Sequence, residues 1–98
     1  MSVSDTFKAK VKTALRVSFN NFDSQITDLI ESAILDLTET ADIKPFDSSN
    51  ADALQTDAVI AYVQYRWFDD SKYFTIYNDI KAKMATSGKY RSVMTDEE

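Results

Sequence analysis

The sequence predicts an all-α domain, and three observations carry that expectation. A single Gly and a single Pro occur in 98 residues, whereas all-β folds need frequent turn residues. Four segments repeat apolar residues at three- and four-residue spacing, the period of an amphipathic helix. Hydrophobic residues make up 44% of the chain, which suffices for one modest core and is too much for a disordered acidic tail. The expected architecture is a small four-helix domain, with helices at about 4–16, 23–40, 51–69 and 72–87. It comprises a helical body over 1–88 and a flexible C-terminal tail over 89–98.

The first helix has Ser4 as its N-cap and Asp5 at the positive end of the dipole. Phe7, Val11, Ala14 and Leu15 share one face, and Lys8, Lys10 and Lys12 lie off it. Asn20 and Asn21 are turn chemistry, because Asn tolerates the left-handed region. Asp23 is then placed to cap the second helix. In that helix Ile26, Leu29, Ile30, Ala33, Ile34 and Leu37 form a stripe wide enough for a bundle. Asp28, Glu31, Asp36 and Glu39 fall on its flanks and outer face.

Pro45 ends any helix in the following loop, and Asp47-Ser48-Ser49-Asn50 is turn and cap material. Ile43 and Phe46 are expected to tuck that loop onto the core. The third helix is apolar on more than one face. Leu54, Ala58, Ala61, Tyr62 and Tyr65 make one, and Val59, Ile60, Val63 and Trp67 make much of another. Such a helix is buried from several sides, by the other elements or by a neighbouring subunit. Asp69-Asp70-Ser71 interrupts the pattern. Tyr73, Ile76, Tyr77, Ile80 and Met84 then set the apolar stripe of the fourth helix, and Gly88 stands where a C-terminal cap belongs.

Composition removes much chemistry. The chain has no Cys and no His, so disulfides, thiolate nucleophiles, zinc-finger ligand sets and imidazole catalysis are excluded. One glycine cannot build a Walker or dinucleotide-binding loop. No catalytic, cofactor-binding or metal-ligating residues are expected, and the chain does not read as an enzyme. No segment reaches the ~20 apolar residues of a membrane span, and the N-terminus lacks the apolar run of a signal peptide. A soluble, intracellular protein is the expectation.

The net charge of −5 is uneven: +3 over 1–16, −9 over 17–71 and +1 over 72–98. So acidic a middle is unsuited to gripping a phosphate backbone. Lys8, Lys10, Lys12 and Arg16 form the one dense basic cluster. It reads as a solvated helix face, or as a contact matched to an acidic surface such as the middle of a neighbouring copy. The carboxylate pairs Asp28/Glu31, Asp36/Glu39 and Asp69/Asp70 read as solvated surface, because metal or glycosidase use needs a converging pocket.

The densest signal is aromatic. AVIAYVQYRWFDDSKYFTIY, from Ala58 to Tyr77, carries seven rings. A base-stacking platform would interleave them with Lys and Arg, whereas here Arg66 and Lys72 share the segment with Asp69 and Asp70. The rings at helical spacing read as core. Trp67, Phe68 and Phe74 are the candidates for inter-subunit packing, since large rings with a polar tip favour interfaces.

The order of segments adds a resemblance. VKTALRV, a short polar turn and FDSQITDLIESAILDL together resemble the opening of the head–tail connector (adaptor) proteins of long-tailed double-stranded DNA phages. The matching positions are Val11, Lys12, Leu15, Arg16, Val17, Asp23, Leu29, Ile30 and Ala33. AVIAYVQYRWFDD is similar to the family's apolar third helix with its terminal aromatic cluster. The likeness covers roughly residues 8–75. The chain departs from many members at Ser18, Asn20 and Asn21, where they are more acidic, and in ending with AKMATSGKYRSV rather than a Pro-Tyr/Gly-containing arm. The resemblance implies a non-catalytic virion protein at the head–tail junction, present in the host cytoplasm during assembly. It implies a homo-oligomeric ring, with twelve copies in the virion, under the portal protein. That ring extends the DNA channel and docks the next head-completion, stopper or tail protein. The segment Gly88, Lys89, Tyr90, Arg91, Val93 and Met94 is the expected portal contact. A different reading is a small helical regulatory or adaptor domain that binds one protein partner through a single aromatic groove.

Overall fold

The computed structural model of the chain describes residues 4–19, 21–41, 43, 44, 46, 50–87, 89 and 90. It is all-α, with four helices in the order α1 (Asp5–Leu15), α2 (Asp23–Thr40), α3 (Ala53–Phe68) and α4 (Ser71–Ala85), and no strand among the described residues. The central element is α3, which packs against α1, α2 and α4, while α1 also rests on α2. This accounts for the two apolar faces of the third helix: Ala58, Val59, Ala61 and Val63 are all buried.

Phe7, Val11 and Leu15 from α1 meet Ile26, Ile30, Ala33, Ile34 and Leu37 from α2 in one core with those α3 residues. Ile43 and Phe46 close it from the loop, and Tyr77, Met84 and Tyr90 close it from the C-terminal side. The stripe expected on α4 is narrower than its spacing suggests. Tyr77 and Met84 are buried, but Ile76 is 46% exposed. One residue back along a helix is about 100° around it, which carries Ile76 past the edge of the buried strip.

The helix ends show which local signals act. Ser4 caps α1, its hydroxyl accepting from the Phe7 N–H at 3.1 Å. α1 stops at Arg16, which adopts the left-handed conformation at φ 61 and ψ 39. Its N–H donates to the Thr13 carbonyl and that of Val17 to the Lys12 carbonyl, the two bonds of a Schellman motif. Among the described residues before α2, left-handed geometry falls on Arg16 and not on Asn21, while Asn20 lies outside the described residues. Gly is the residue that fits this geometry without a Cβ clash. Arg16→Gly is expected to raise stability by about 0.5 kcal/mol, the relieved clash of about 1–2 kcal/mol being partly offset by unfolded-chain entropy. A denaturant midpoint no higher than that of the parent would refute this.

Asp23 does not cap α2. The N-cap is Phe22, without a side-chain bond, and Asp23 is the first helical residue. Its carboxylate instead pairs with Lys12 at 2.8 Å, tying α2 to α1. α3 begins two residues later than expected, at a capping box. The Asp52 carboxylate accepts from the Gln55 N–H, and the Gln55 side-chain oxygen accepts from the Asp52 N–H, both at 2.9 Å. These reciprocal bonds satisfy the buried Gln55 and two otherwise orphaned donors.

Asp69 and Asp70 divide one turn between them. Asp69 ends α3 in the left-handed conformation, and Asp70 caps α4 by accepting from the Lys72 N–H at 3.0 Å. A two-residue link makes α3 and α4 a tight antiparallel hairpin. α4 ends at the cap Thr86, and the cap expected at Gly88 lies outside the described residues. The body extends beyond residue 88, since Tyr90 is buried and its carbonyl accepts from the Lys44 N–H at 2.7 Å. The rest of the expected tail, 91–98, lies outside the described residues.

Candidate interaction surface

The antiparallel helices bring the α2 start, the α3 end and the α4 start to one end of the domain, and the rings collect there. Two sets form. On the α2 side, Phe22 lies edge-on to Trp67 at 5.4 Å between centroids, and Phe19 follows at 5.6 Å. On the α4 side, Tyr65 meets Phe74 at 4.8 Å and Phe68 meets Tyr73 at 5.7 Å. Of the three rings assigned to inter-subunit packing, Phe68 is 43% and Phe74 41% exposed, while Trp67 is half-buried against the core. Tyr62 and Tyr77 pack together at 5.2 Å, with Tyr77 in the core. Of the seven rings expected to serve chiefly as core, Tyr77 alone is buried, Tyr62 and Trp67 pack partly buried against the core, and Phe68 and Phe74 are exposed.

A concavity of about 380 Å³ opens on the α2 side, lined by Phe22, Gln25, Leu29, Arg66 and Trp67. Its lining is mixed, with Phe22, Leu29 and Trp67 beside the polar Gln25 and Arg66. Arg66 is held over the Tyr62 ring at 5.9 Å and donates to the Tyr62 hydroxyl at 3.0 Å. Sequence reading did not single out Phe22, Gln25 or Leu29 as a surface. The signal was present in that Leu29 sits at the edge of its stripe, but only the packing of α2 on α3 puts it beside Trp67.

Two polar clusters brace the domain. The Tyr77 hydroxyl donates to the Asp36 carboxylate. Lys81 also reaches Asp36 at 3.3 Å and donates to the Thr40 hydroxyl at 3.0 Å. Burial, and then the hydrogen bond to Asp36, push the Tyr77 hydroxyl far above the ordinary phenol value. The second cluster anchors the chain after α4. The Tyr90 hydroxyl donates to Asp52 at 2.7 Å, and Lys89 pairs with the same carboxylate at 3.2 Å. Burial pushes the Asp52 pKa up, but the Gln55 N–H, Tyr90 and Lys89 outweigh it and hold the carboxyl below its ordinary value. The bond to Asp52 raises the Tyr90 hydroxyl, as burial does.

Of the segment expected to meet a portal, Lys89 is exposed and Tyr90 is used within the domain. Gly88, Arg91, Val93 and Met94 lie outside the described residues. The basic cluster is dispersed: Lys12 is committed to Asp23, whereas Lys10 and Arg16 are on the surface. No group of three potential metal-ligating side chains occurs among the described residues. No helix among them is long and apolar enough to cross a membrane. What the arrangement offers is exposed aromatic area on two sides of one helix end, with a guanidinium beside it.

Comparison with models of protein families, with curated proteins and with solved structures finds no match for this chain.

Proposed function

We propose that this chain is the subunit of a head–tail connector ring. It would sit beneath a phage portal, extend the DNA channel and dock the next head-completion, stopper or tail protein. The observation that carries the reading is the division of the exposed rings between two sides of α3. Phe19 and Phe22 lie on the α2 side, and Phe68 and Phe74 on the α4 side. A subunit within a ring needs two contact faces. A domain that captures one partner in one groove needs one, so the arrangement favours the ring over a single-partner regulatory domain. The resemblance of VKTALRV and the helices after it supplies the particular assembly.

The acidic middle of the chain fits a wall past which DNA slides without adhering, since like charge repels the backbone. In this reading Gly88, Lys89, Arg91, Val93 and Met94 supply the portal contact, while Tyr90 is held by the domain itself. Subunits would have no catalytic task, and contacts and shape would carry the function.

Light scattering on a sizing column across a concentration series tests the reading, with negative-stain images of any large peak. A closed ring of about a dozen copies is expected, alone or on addition of a portal ring. Phe68→Ser with Phe74→Ser is expected to leave helicity intact and dissolve that ring. Truncated apolar anchors of this kind cost an interface about 2 kcal/mol or more each. A monomer at every concentration that also fails to bind a portal ring would overturn the proposal.

A further inference from the structure

α2 carries an apolar side chain that its own domain does not use. Leu35 is 56% exposed. Asp28, Glu31 and Glu39 lie seven and four residues before it and four after it, so the four share the outer face of the helix. α2 contains no Lys or Arg. Its carboxylates Asp23 and Asp36 are paired within the domain, to Lys12 and Lys81. Asp28, Glu31 and Glu39 form no ion pair among the described residues. Glu39 stands in the last helical turn, where no basic residue accompanies it and where the helix dipole disfavours a carboxylate. Stability of the isolated domain does not explain an acid there. The result is a leucine knob with acids above and below it.

The slot between Phe22, Leu29 and Trp67 is its complement. It is a concavity of about 380 Å³, ample for one leucyl side chain, with Arg66 at the rim. No carboxylate lines it. Knob and slot are distinct surfaces, since Leu29 and Leu35 are about 120° apart around α2 and about 9 Å apart along it. One copy can therefore offer its knob to one neighbour and its slot to another.

We infer that Leu35 of one copy seats in the Phe22–Leu29–Trp67 slot of the next, with Glu31 and Glu39 facing Arg66. Such a contact is heterologous, so it propagates head to tail and closes into a ring when the rotation per step allows. The inference rests on the ring reading in taking a second copy as the partner, and it names one pair of surfaces that meet, in addition to the face at Phe68 and Phe74.

The absence of Cys makes single cysteines unambiguous reporters. Leu35→Cys and Gln25→Cys, both at exposed positions, are mixed in equal amounts and gently oxidised, with products read by intact mass. Disulfide formation needs Cβ atoms about 3.5–4.5 Å apart, so the pairing reports contact. The mixed 35–25 dimer is expected to exceed either homodimer by well over the twofold that random pairing gives, and to exceed the mixed dimer of a control pairing of Leu35→Cys with Thr75→Cys. No excess, or a dominant 35–35 dimer, overturns the inference. In a second measurement, Leu35→Asp and Arg66→Glu each self-associate less than the parent. Their mixture restores one contact per pair and is expected to give dimers and nothing larger, whereas recovery of larger species would overturn the one-knob, one-slot arrangement. Glu39→Lys is expected to raise the monomer's melting temperature while weakening self-association. A rise in stability with unchanged association contradicts the proposed contact. If the parent forms a ring but the 35–25 link fails, the surfaces are wrong and the ring stands. If the link forms and only open chains are seen, the contact stands and the ring falls.

Discussion

Tyr77→Ala is expected to bring the domain close to unfolding at room temperature. The ring is 1% exposed and packs against Tyr62 and Phe74, so truncation removes one of the largest fully buried side chains. Emptying a large aromatic site costs about 3–5 kcal/mol. A domain of this size has about 5–15 kcal/mol in total. The melting temperature should fall by tens of degrees, at about 4–8 °C per kcal/mol. Tyr77→Phe separates packing from polarity. It keeps the ring and loses the hydroxyl bond to Asp36, while Lys81 remains to compensate the carboxylate. The expected cost is about 1–2 kcal/mol. Absorbance during alkaline titration provides a second check. Because burial and Asp36 hold the Tyr77 proton, its ionisation should accompany unfolding, and that step should vanish in Tyr77→Phe. Equal losses of stability in the two variants would show that the hydroxyl, not the packed ring, dominates.

Asp52→Ala is expected to produce the next largest effect, because one carboxylate serves three partners. It caps α3 and accepts from Tyr90, and it pairs with Lys89. Loss of the cap costs about 1 kcal/mol and loss of the Tyr90 bond about another, so about 2 kcal/mol is expected. The two pKa displacements set its pH dependence. Asp52 lies below its ordinary value of 3.8 when folded, so its contribution is complete above that value and disappears as pH falls through the folded pKa. Tyr90 lies above its ordinary value of 10.0, so its contribution is complete below that pH and disappears as pH rises through the folded pKa. The Asp52→Ala variant should therefore lose least relative to the parent at both extremes. Trypsin should also cut after Lys89 faster in this variant, since the anchor at Tyr90 is released. An unchanged cleavage rate would mean that backbone contacts, such as that from Lys44, hold the segment unaided.

Neither cluster was legible in the sequence. Asp36 and Tyr77 are 41 residues apart, and Asp52 and Tyr90 are 38 apart. Periodicity reports which face of a helix is apolar and is silent on which polar side chain of another helix will oppose it. The same limit explains Asp23. Its position before an apolar stripe is a cap signal, yet the proximity of α1 makes Lys12 its partner. Arg16 was likewise assigned to a helix end without its left-handed geometry, because Arg carries no local preference for it.

What the sequence by itself determined is the four helices and most of their core. Scarce Gly and Pro leave few places to turn, and the spacing of Ile26, Ile30, Ile34 and Leu37 admits one buried face. Helical spacing also led to the expectation that the rings from Ala58 to Tyr77 would serve a core first, but Tyr77 alone of the seven is buried. Only the tertiary structure decided which rings stay outside. Trp67 is half-covered because Phe22 arrives from the cap of α2, and Phe68 and Phe74 are left open because no fifth element packs over the α3–α4 hairpin among the described residues. The period of one helix sets its faces. What covers each face is a long-range fact, settled by how the helices meet.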